Sequence, residues 1–269
     1  DPGYPDYLSG VSLGRVAYET FPLTAENDFL PDLDAIPEET ARRAKFIYIN
    51  YPNNPTGAVA TKAFYEKLVA WAKTYEVGVV SDLAYGALGY QGYENPSFLS
   101  TPGAKDVGIE FYTFSKTFNM AGWRLAFAAG NDQMIEALNL IQDHLFVGIF
   151  PALQEAGIAA LLDPKSEEAV AQLNATYDSR RDAFVQAAAK IGWQAFPSRG
   201  SFYAWMPVPE GYTSESFADL LLEKVHVAVA PGKGFGPAGD AYVRIGLLVE
   251  PERLVEAVDR IANLHLFNN

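Results

Sequence analysis

The sequence has no cysteine and only three histidines among its 269 residues. The absence of cysteine excludes disulfides, thiolate catalysis and cysteine-ligated metals, and it fits a cytoplasmic protein. His144, His226 and His265 are scattered, and nothing near them has the spacing of zinc ligands. We therefore expect a cytoplasmic protein without a metal site.

Long apolar runs and an excess of positive charge are missing as well. No segment is apolar over enough residues to span a bilayer. The formal net charge is -13 and the pI is about 4.6, and an acidic surface repels phosphate backbones. With 49% hydrophobic and 20% charged residues, the composition is that of a globular protein. We expect neither a nucleic-acid partner nor a membrane partner.

The first half of the chain alternates apolar, β-prone runs with a helical pattern. Thr61 is a plausible N-cap for a helix over 61–76, in which apolar residues recur at helical spacing. Strands alternating with helices predict an α/β fold with a mostly parallel sheet. The strands are predicted at 44–52, 77–82, 108–115 and 124–130.

The second half reads as a smaller α+β region. Helices are predicted at 132–145, 153–162, 166–192, 214–224 and 251–264, and strands at 200–208, 227–232 and 241–247. We expect a partial large domain over 1–163 and a small C-terminal domain over 164–269.

Polar residues cluster just after the predicted strands. They are Asn53 and Asn54, Asp82 and Tyr85, and Ser115 and Lys116. Because ligands of open α/β sheets bind outside the carboxyl ends of the strands, these clusters could share one pocket. Taken alone, Lys116 is more often an exposed cation at a strand end, and Asp82 could simply cap a turn.

Three motifs in register carry a family resemblance. "YPNNPTG" (51–57), "SDLAYG" (81–86) and "YTFSKTFNMAGWR" (112–124), flanked by "DPGYPDY" and "YVRIGL", resemble the class I/II pyridoxal-phosphate-dependent aminotransferases of the type I fold. The resemblance covers essentially the whole chain. It implies a parallel sheet sandwiched by helices, with a smaller α+β domain.

Pyridoxal phosphate requires a particular set of partners. Lys is the only side chain that supplies the amine for a covalent imine, and a buried carboxylate keeps the ring nitrogen protonated. A desolvated Lys116 beside a cationic Arg124 should have a lowered pKa. By resemblance, Asp82 is the partner of the ring nitrogen, and Tyr85 and Asn54 bind the phenolic oxygen. Tyr4 resembles the aromatic residue that stacks on the ring, although it could also be a turn aromatic.

The phosphate and the substrate carboxylate need cations and hydroxyls. Arg124 is the best candidate for the phosphate, together with Thr113 and Ser115 of the same segment. By resemblance, Arg244 in "YVRIGL" binds the substrate α-carboxylate, and Asn54 is a second substrate-binding residue. Phe202 and Tyr203 could lie near the substrate entrance or in the core, and both interpretations stay open.

The chain begins at Asp1, inside the family pattern, so we expect that an N-terminal part with half of the phosphate cup is missing. The resemblance also implies a homodimer.

The implied reaction is ping-pong transamination between an amino acid and a 2-oxo acid, with Lys116 as the general base and acid. Two alternatives remain open at this point. The fold also serves pyridoxal-phosphate C–S lyases and synthases, and it serves as the effector-binding domain of transcription regulators.

Overall fold

The structure is a computed structural model in which residues 1–267 are described. The helices are α1 (Asp6–Leu13), α2 (Glu38–Arg43), α3 (Lys62–Tyr75), α4 (Ala104–Val107), α5 (Phe114–Thr117), α6 (Asp132–Leu145), α7 (Pro151–Leu162), α8 (Ser166–Lys190), α9 (Ser214–Val225) and α10 (Pro251–Ala262). The strands are β1 (Phe46–Asn50), β2 (Gly78–Asp82), β3 (Gly108–Thr113), β4 (Ala126–Gly130), β5 (Tyr203–Pro207), β6 (Ala230–Pro231) and β7 (Tyr242–Gly246). Within residues 1–267, none of the helices combines the length and the apolar character needed to cross a membrane.

The chain folds into two compact units. Unit 1 comprises Asp1–Asp32, Asn53–Ala58 and the described part of Ala175–Asn269. Unit 2 comprises Leu33–Pro52 and Val59–Asn174. The domain limits 1–163 and 164–269 stay a prediction.

Unit 2 contains a four-stranded sheet in the order β1-β2-β3-β4. The pairs β1–β2 and β2–β3 are parallel, whereas β4 runs antiparallel to β3. The register pairs Asn50 with Asp82, and Asp82 with Phe111. The carboxyl ends of the three parallel strands therefore meet at one edge of the sheet, which is where their polar residues were predicted to gather.

Helix α3 shows how the sequence produces unit 2. The Thr61 hydroxyl accepts a hydrogen bond from the Phe64 backbone N–H at 3.1 Å, which caps the first turn. Tyr65, Leu68 and Ala72 lie on one face of the helix and are fully buried. The helix ends at Glu76, which adopts the left-handed conformation with φ of 56°.

Unit 1 contains an antiparallel sheet in the order β5-β7-β6. Its core joins this sheet to residues of α8, α9 and α10. Large, fully buried members of that core are Phe184, Trp193, Met206, Phe217 and Leu221. The three helices were predicted at 166–192, 214–224 and 251–264, close to the bounds that the structure gives them.

The predicted α/β class with a mostly parallel sheet and a smaller α+β part is confirmed. The main difference near the candidate site concerns the third strand. It ends at Thr113, and residues 114–117 form the one-turn helix α5, so Lys116 lies in a helix and not at the strand end. The short helices α1, α2 and α4 were not predicted, since they lack a long apolar periodicity.

Candidate active site

Lys116 is held by the one-turn helix α5 in unit 2. Thr113 caps this helix, because its hydroxyl accepts a hydrogen bond from the Ser115 N–H at 3.2 Å. Phe114 and Thr117 are buried and anchor the helix, whereas Ser115 and Lys116 are half-buried. The anchors thus point one face of α5 into the core and leave the ammonium group of Lys116 on the other face.

Tyr85 lies beside this ammonium group. The Lys116 Nζ atom is 5.9 Å from the centre of the Tyr85 ring, within the range of a cation–π contact. Tyr85 is only 4% exposed. It follows β2 in a turn closed by hydrogen bonds from Gly86 N to Leu83 O and from Leu88 N to Tyr85 O. The structure therefore brings together two of the predicted site residues that lie 31 positions apart in the sequence (116 minus 85).

Asp82 ends β2 and begins the same turn. Its Oδ1 atom accepts a hydrogen bond from the Ala84 N–H at 3.0 Å, so the carboxylate does cap the turn, as one interpretation of the sequence held. Its backbone carbonyl accepts a hydrogen bond from the Asn50 side-chain amide at 2.9 Å. Asn50 ends the neighbouring strand and is buried. It fixes the backbone from which the Asp82 side chain leaves.

Thr113, Ser115 and the Arg124 segment lie close together in unit 2. The Thr113 hydroxyl donates to the Ser115 hydroxyl at 3.0 Å and is 3.4 Å from the Leu125 carbonyl oxygen. The antiparallel register that pairs Thr113 with Ala126 explains this proximity. The Arg124 side chain is exposed and donates from Nη1 to the Ala121 carbonyl oxygen at 3.1 Å. The segment thus presents two hydroxyl groups and a guanidinium group.

Asn54 lies in a tightly bonded loop of unit 1. The Asn53 side chain accepts hydrogen bonds from the backbone and hydroxyl of Thr56 at 3.1 and 2.8 Å. Gly57 has φ of 72°, and a Cβ atom there would come within 2.2 Å of the Ser198 hydroxyl, so the loop requires glycine. Asn54 itself is buried at 4% exposure.

Arg244 meets Asn54 within unit 1. Its Nη1 atom donates to Asn54 Oδ1 at 2.6 Å, across 190 positions of sequence. Its guanidinium carbon lies 4.1 Å from the Tyr203 ring centre and 4.5 Å from the Phe235 ring centre. The sequence predicted Arg244 and Asn54 for the substrate, and the structure brings these two together.

Tyr4 lies in unit 1, just before α1. Its ring packs edge-on against Tyr7 with centres 5.7 Å apart, and its hydroxyl donates to Asp6 at 2.7 Å. The ring is 40% exposed. The stacking role of Tyr4 stays a prediction.

Glu110 of β3 is a buried carboxyl that the sequence analysis did not identify. It accepts hydrogen bonds from the Ser81 hydroxyl at 3.0 Å, the Ser97 hydroxyl at 2.5 Å and the Phe98 N–H at 2.8 Å. Burial raises the pKa of Glu110 above its usual value, and the hydrogen bonds from Ser97, Phe98 and Ser81 oppose that shift. The only signal in the sequence is an acidic residue inside an apolar strand.

Asn50, Tyr203 and Phe235 are further residues that sequence reasoning missed or left open. Asn50 was visible only as the polar end of an apolar strand. Phe235 has no distinguishing sequence signal, because the Gly-rich stretch around it reads as an ordinary loop.

The side chains of unit 2 match pyridoxal phosphate in chemical type. The amine of Lys116 beside the phenol of Tyr85 suits a covalent link next to the phenolic oxygen. The carboxylate of Asp82 suits a protonated ring nitrogen. The hydroxyls of Thr113 and Ser115, with the guanidinium of Arg124 just before the adjoining strand β4, suit a phosphate. The residues present therefore fit this cofactor. Among residues 1–267, no cluster of three or more His, Asp or Glu side chains is placed to hold a metal ion.

This combination of fold and side chains defines a class of enzyme, and comparison with known proteins identifies it. The family model described as "Aminotransferase class I and II" matches residues 1–261. The chain belongs to this family, whose members are pyridoxal-phosphate-dependent enzymes.

Individual relatives agree with this membership. The chain is 57% identical over 267 residues to the L-glutamine–4-(methylsulfanyl)-2-oxobutanoate aminotransferase of Bacillus subtilis (strain 168), covering 99% of this chain and 67% of the relative. It is 49% identical to the LL-diaminopimelate aminotransferase of Moorella thermoacetica, covering 97% of this chain and 66% of the relative. The substrate-bound structure of BacF from Bacillus subtilis matches with a TM-score of 0.93 at 46% identity, covering 99% of this chain and 67% of that one. The chain thus spans about two thirds of the length of these relatives.

Proposed function

We propose that this protein is a pyridoxal-phosphate-dependent transaminase that moves an amino group between an amino acid and a 2-oxo acid. Membership of the aminotransferase family over residues 1–261 supports this activity. The single structural observation that carries it is the Lys116 amine, held by a capped helical turn against the buried Tyr85 ring.

Each side chain has a defined part in this proposal. Lys116 would form the covalent link to the cofactor, with Asp82 at the ring nitrogen and Tyr85 and Asn54 at the phenolic oxygen. Thr113, Ser115 and Arg124 would hold the phosphate, and Tyr4 would stack on the ring. Arg244, with Asn54, would bind the α-carboxylate of the substrate. The donor types at these positions support the assignment.

The bound cofactor supplies an electron sink that makes the Cα–H bond of an amino acid acidic. The chain supplies the proton transfer and the orientation. The Lys116 amine would take the proton from the substrate Cα as a general base and would later give a proton back as a general acid. Arg244 holds the carboxylate while this happens, so the Cα–H bond keeps a fixed direction. The return half-reaction with a second oxo acid uses the same residues in reverse order.

We further propose L-glutamine as the amino donor and 4-(methylsulfanyl)-2-oxobutanoate as the acceptor. The support is the 57% identity over nearly the whole chain to the Bacillus subtilis enzyme named for this pair. LL-diaminopimelate is the second candidate, because a group of relatives named for it is 46–49% identical. The two amino donors differ at their far ends, since diaminopimelate carries a second ammonium and carboxylate there, whereas glutamine carries an uncharged amide.

The test uses the purified protein loaded with pyridoxal phosphate and a panel of donors and acceptors. We expect Lys116→Ala to lose turnover and the visible absorbance of the lysine-bound cofactor. The matched control is Lys105→Ala, at an exposed position of helix α4, which should behave like the parent. Full turnover in Lys116→Ala would refute the proposal. Release of pyruvate and ammonia from a cysteine-type substrate would instead reveal a lyase.

We also propose that the protein is a cytoplasmic homodimer. The lack of cysteine supports the location. An exposed set of apolar side chains on α6 and on the segment that joins α6 to α7 supports the dimer. This apolar surface consists of Leu140, Ile141, Leu145, Phe146, Val147 and Phe150. Exposed apolar groups in such numbers commonly mark a surface that another protein covers, and a second copy of the same chain is the commonest such partner.

A further inference from the structure

Two aromatic rings lie against the guanidinium group of Arg244. The Tyr203 ring centre is 4.1 Å from the Arg244 Cζ atom, and the Phe235 ring centre is 4.5 Å from it. Both distances are well inside the limit of about 6 Å for cation–π attraction. We call Tyr203 and Phe235 the Arg244 ring pair. All three residues belong to unit 1.

The strand register places Tyr203 at Arg244. Strands β5 and β7 are antiparallel, with Trp205 directly opposite Arg244 and Tyr203 opposite Gly246. Tyr203 and Arg244 are therefore diagonal neighbours on one face of the sheet, within reach of long side chains. Tyr203 is itself buried against Phe202, with ring centres 4.8 Å apart. Its ring is thus held by packing, and it gives the guanidinium a fixed surface.

A loop held at both ends places Phe235. Its backbone carbonyl accepts a hydrogen bond from Gly3 N at 2.8 Å, and Gly236 N donates to Lys233 O at 3.1 Å. A Cβ atom at Gly236 would lie 2.1 Å from the Asp1 carboxylate, so the loop packs closely on the first residues of the chain. The Phe235 ring therefore occupies its position through backbone contacts as well as its contact with Arg244.

The Asn54 hydrogen bond complements the two rings. Both ring centres lie within 4.5 Å of the guanidinium carbon, and the Nη1 atom donates to Asn54 Oδ1 at 2.6 Å. Two ring contacts and a hydrogen bond together restrict the movement of the group and the direction of its N–H fork. Aromatic rings attract the cation without neutralising its charge, so the guanidinium stays attractive to a carboxylate.

We propose that Tyr203 and Phe235 are positioning residues that hold the Arg244 guanidinium in the orientation in which it binds the substrate α-carboxylate. The inference rests on the proposed function, in which Arg244 binds that carboxylate. Without the rings, the flexible Arg244 side chain would have to be ordered each time a substrate binds, and the affinity would fall. The same loss would apply to the amino acid and to the oxo acid, since both present the same carboxylate.

The first test compares Phe235→Leu and Tyr203→Leu with the parent enzyme loaded with pyridoxal phosphate. We expect KM for L-glutamine and for 4-(methylsulfanyl)-2-oxobutanoate to rise about 5- to 30-fold, which corresponds to about 1–2 kcal/mol, with little change in kcat. The matched control is Phe267→Leu, a half-buried ring that contacts Trp193 and Phe217 and not Arg244. An equal rise in KM in this control would assign the effect to general destabilisation and overturn the proposal.

Fluorinated phenylalanines at position 235 provide the second test, because they keep the shape of the ring and weaken its negative face. Successive fluorination should raise KM stepwise while the thermal unfolding temperature stays constant. A ring with only a structural role would show no stepwise rise in KM, because its shape does not change. Unchanged KM throughout the series would overturn the proposed cation–π role.

Equilibrium binding separates this proposal from the proposed function. The probe is 4-(methylsulfanyl)butanoate, measured by calorimetry, with its uncharged amide as the control ligand. We expect Phe235→Leu and Arg244→Lys to weaken binding of the carboxylate and to leave binding of the amide unchanged. If Arg244→Lys weakens binding of the carboxylate and Phe235→Leu does not, the proposed role of the rings is wrong. If neither variant changes binding of the carboxylate, the proposal that Arg244 binds the substrate carboxylate is wrong as well.

Discussion

At the scale of single residues, Lys116 and Asp82 depend on neighbours that the structure brings to them. The Lys116 ammonium lies against Tyr85, and Asn50 fixes the backbone of Asp82. The carboxylate of Asp82 also caps its own turn. The hydrogen bond from the Ala84 N–H to one carboxylate oxygen orients the Asp82 side chain. This favours a fixed direction for its interaction with the cofactor's ring nitrogen.

Replacing Asp82 tests the carboxylate that would keep the ring nitrogen protonated. Asp82→Asn preserves size but removes the charge, so we expect transamination to fall about 100-fold or more, in line with the loss of one preorganised electrostatic group. Steady-state kinetics and the absorbance of the bound cofactor measure the effect. Asp34→Asn, at an exposed carboxylate paired with Lys67, is the control and should stay active. Parent-like rates in Asp82→Asn would contradict the assigned role.

Glu110 provides a prediction about pH. Burial raises the pKa of this carboxyl above 4.5 in the folded state, so the folded state binds the proton more tightly than the unfolded state does. As the pH rises from about 4.5 through the folded pKa, the ionising Glu110 therefore removes stability. Below about pH 4.5, Glu110 is protonated in both the folded and the unfolded state, and this loss of stability is absent.

The comparison is with Glu110→Gln, which cannot ionise. We expect the free energy of unfolding of the parent minus that of the variant to be larger at pH 4.5 than at pH 7. Urea unfolding at the two pH values measures this difference, and the contributions of other titrating groups largely cancel between the two proteins. A difference that stays constant, or that grows toward pH 7, would contradict the expected loss of stability on ionisation of Glu110.

At the scale of elements, an N-cap residue determines where a helix begins and which side chains its first turn carries. Thr113 caps α5 and so sets the turn that carries Lys116. Thr61 caps α3 in the same way, and α3 packs Tyr65 and Leu68 into the core of unit 2. Local hydrogen bonds of this kind were readable from the sequence for α3. They were not readable for α5, because a single turn has no periodicity.

Thr61→Ala tests the cap of α3. Removing the hydroxyl leaves the Phe64 N–H without its bond of 3.1 Å, so the free energy of unfolding should fall by about 1 kcal/mol. Thr74→Ala is a matched control in the same helix, since its hydroxyl donates to Ala70 O and caps nothing. We expect the control to be neutral or slightly stabilising, because Ala is the better helix former. Equal effects in urea unfolding would contradict the capping role.

At the scale of the whole molecule, acidity and exposed apolar groups coexist. A net charge of -13 disfavours nonspecific association. The apolar surface on α6 and its connection to α7 nevertheless exposes Phe146 by 66% and Phe150 by 69%. Large exposed side chains in an otherwise acidic protein favour one specific interface, which we propose is the homodimer contact.

Phe146→Glu should weaken that contact. A charge placed in an apolar interface loses hydration without gaining a partner, so we expect the dimer dissociation constant to rise at least about tenfold, or about 1.4 kcal/mol. Sedimentation over a range of concentrations measures it. Leu222→Glu, at an exposed apolar position on α9 outside this surface, should leave it unchanged. A monomeric parent would refute the homodimer, and an unaltered Phe146→Glu dimer would place its interface elsewhere.

Much of the fold could be predicted from local patterns. The apolar run ending at Asp82 predicted β2 to its last residue, and the Thr61 cap with its apolar spacing predicted α3 within one residue of its end. Helix α5 was mistaken for the end of a strand, because β-prone residues continue past Thr113. The pairing of β3 with β4, rather than residue propensity, ends that strand.

The sequence by itself determined the chemistry and the family. Its motifs carry an amine, a carboxylate, a phenol and a guanidinium in a fixed order, and these residue types do not depend on how the chain folds. Only the tertiary structure decided that Arg244 reaches Asn54 across 190 positions and that Phe235 lies against the same guanidinium. Such contacts depend on strand register and on packing among residues far apart in the chain, for which a linear pattern holds no signal.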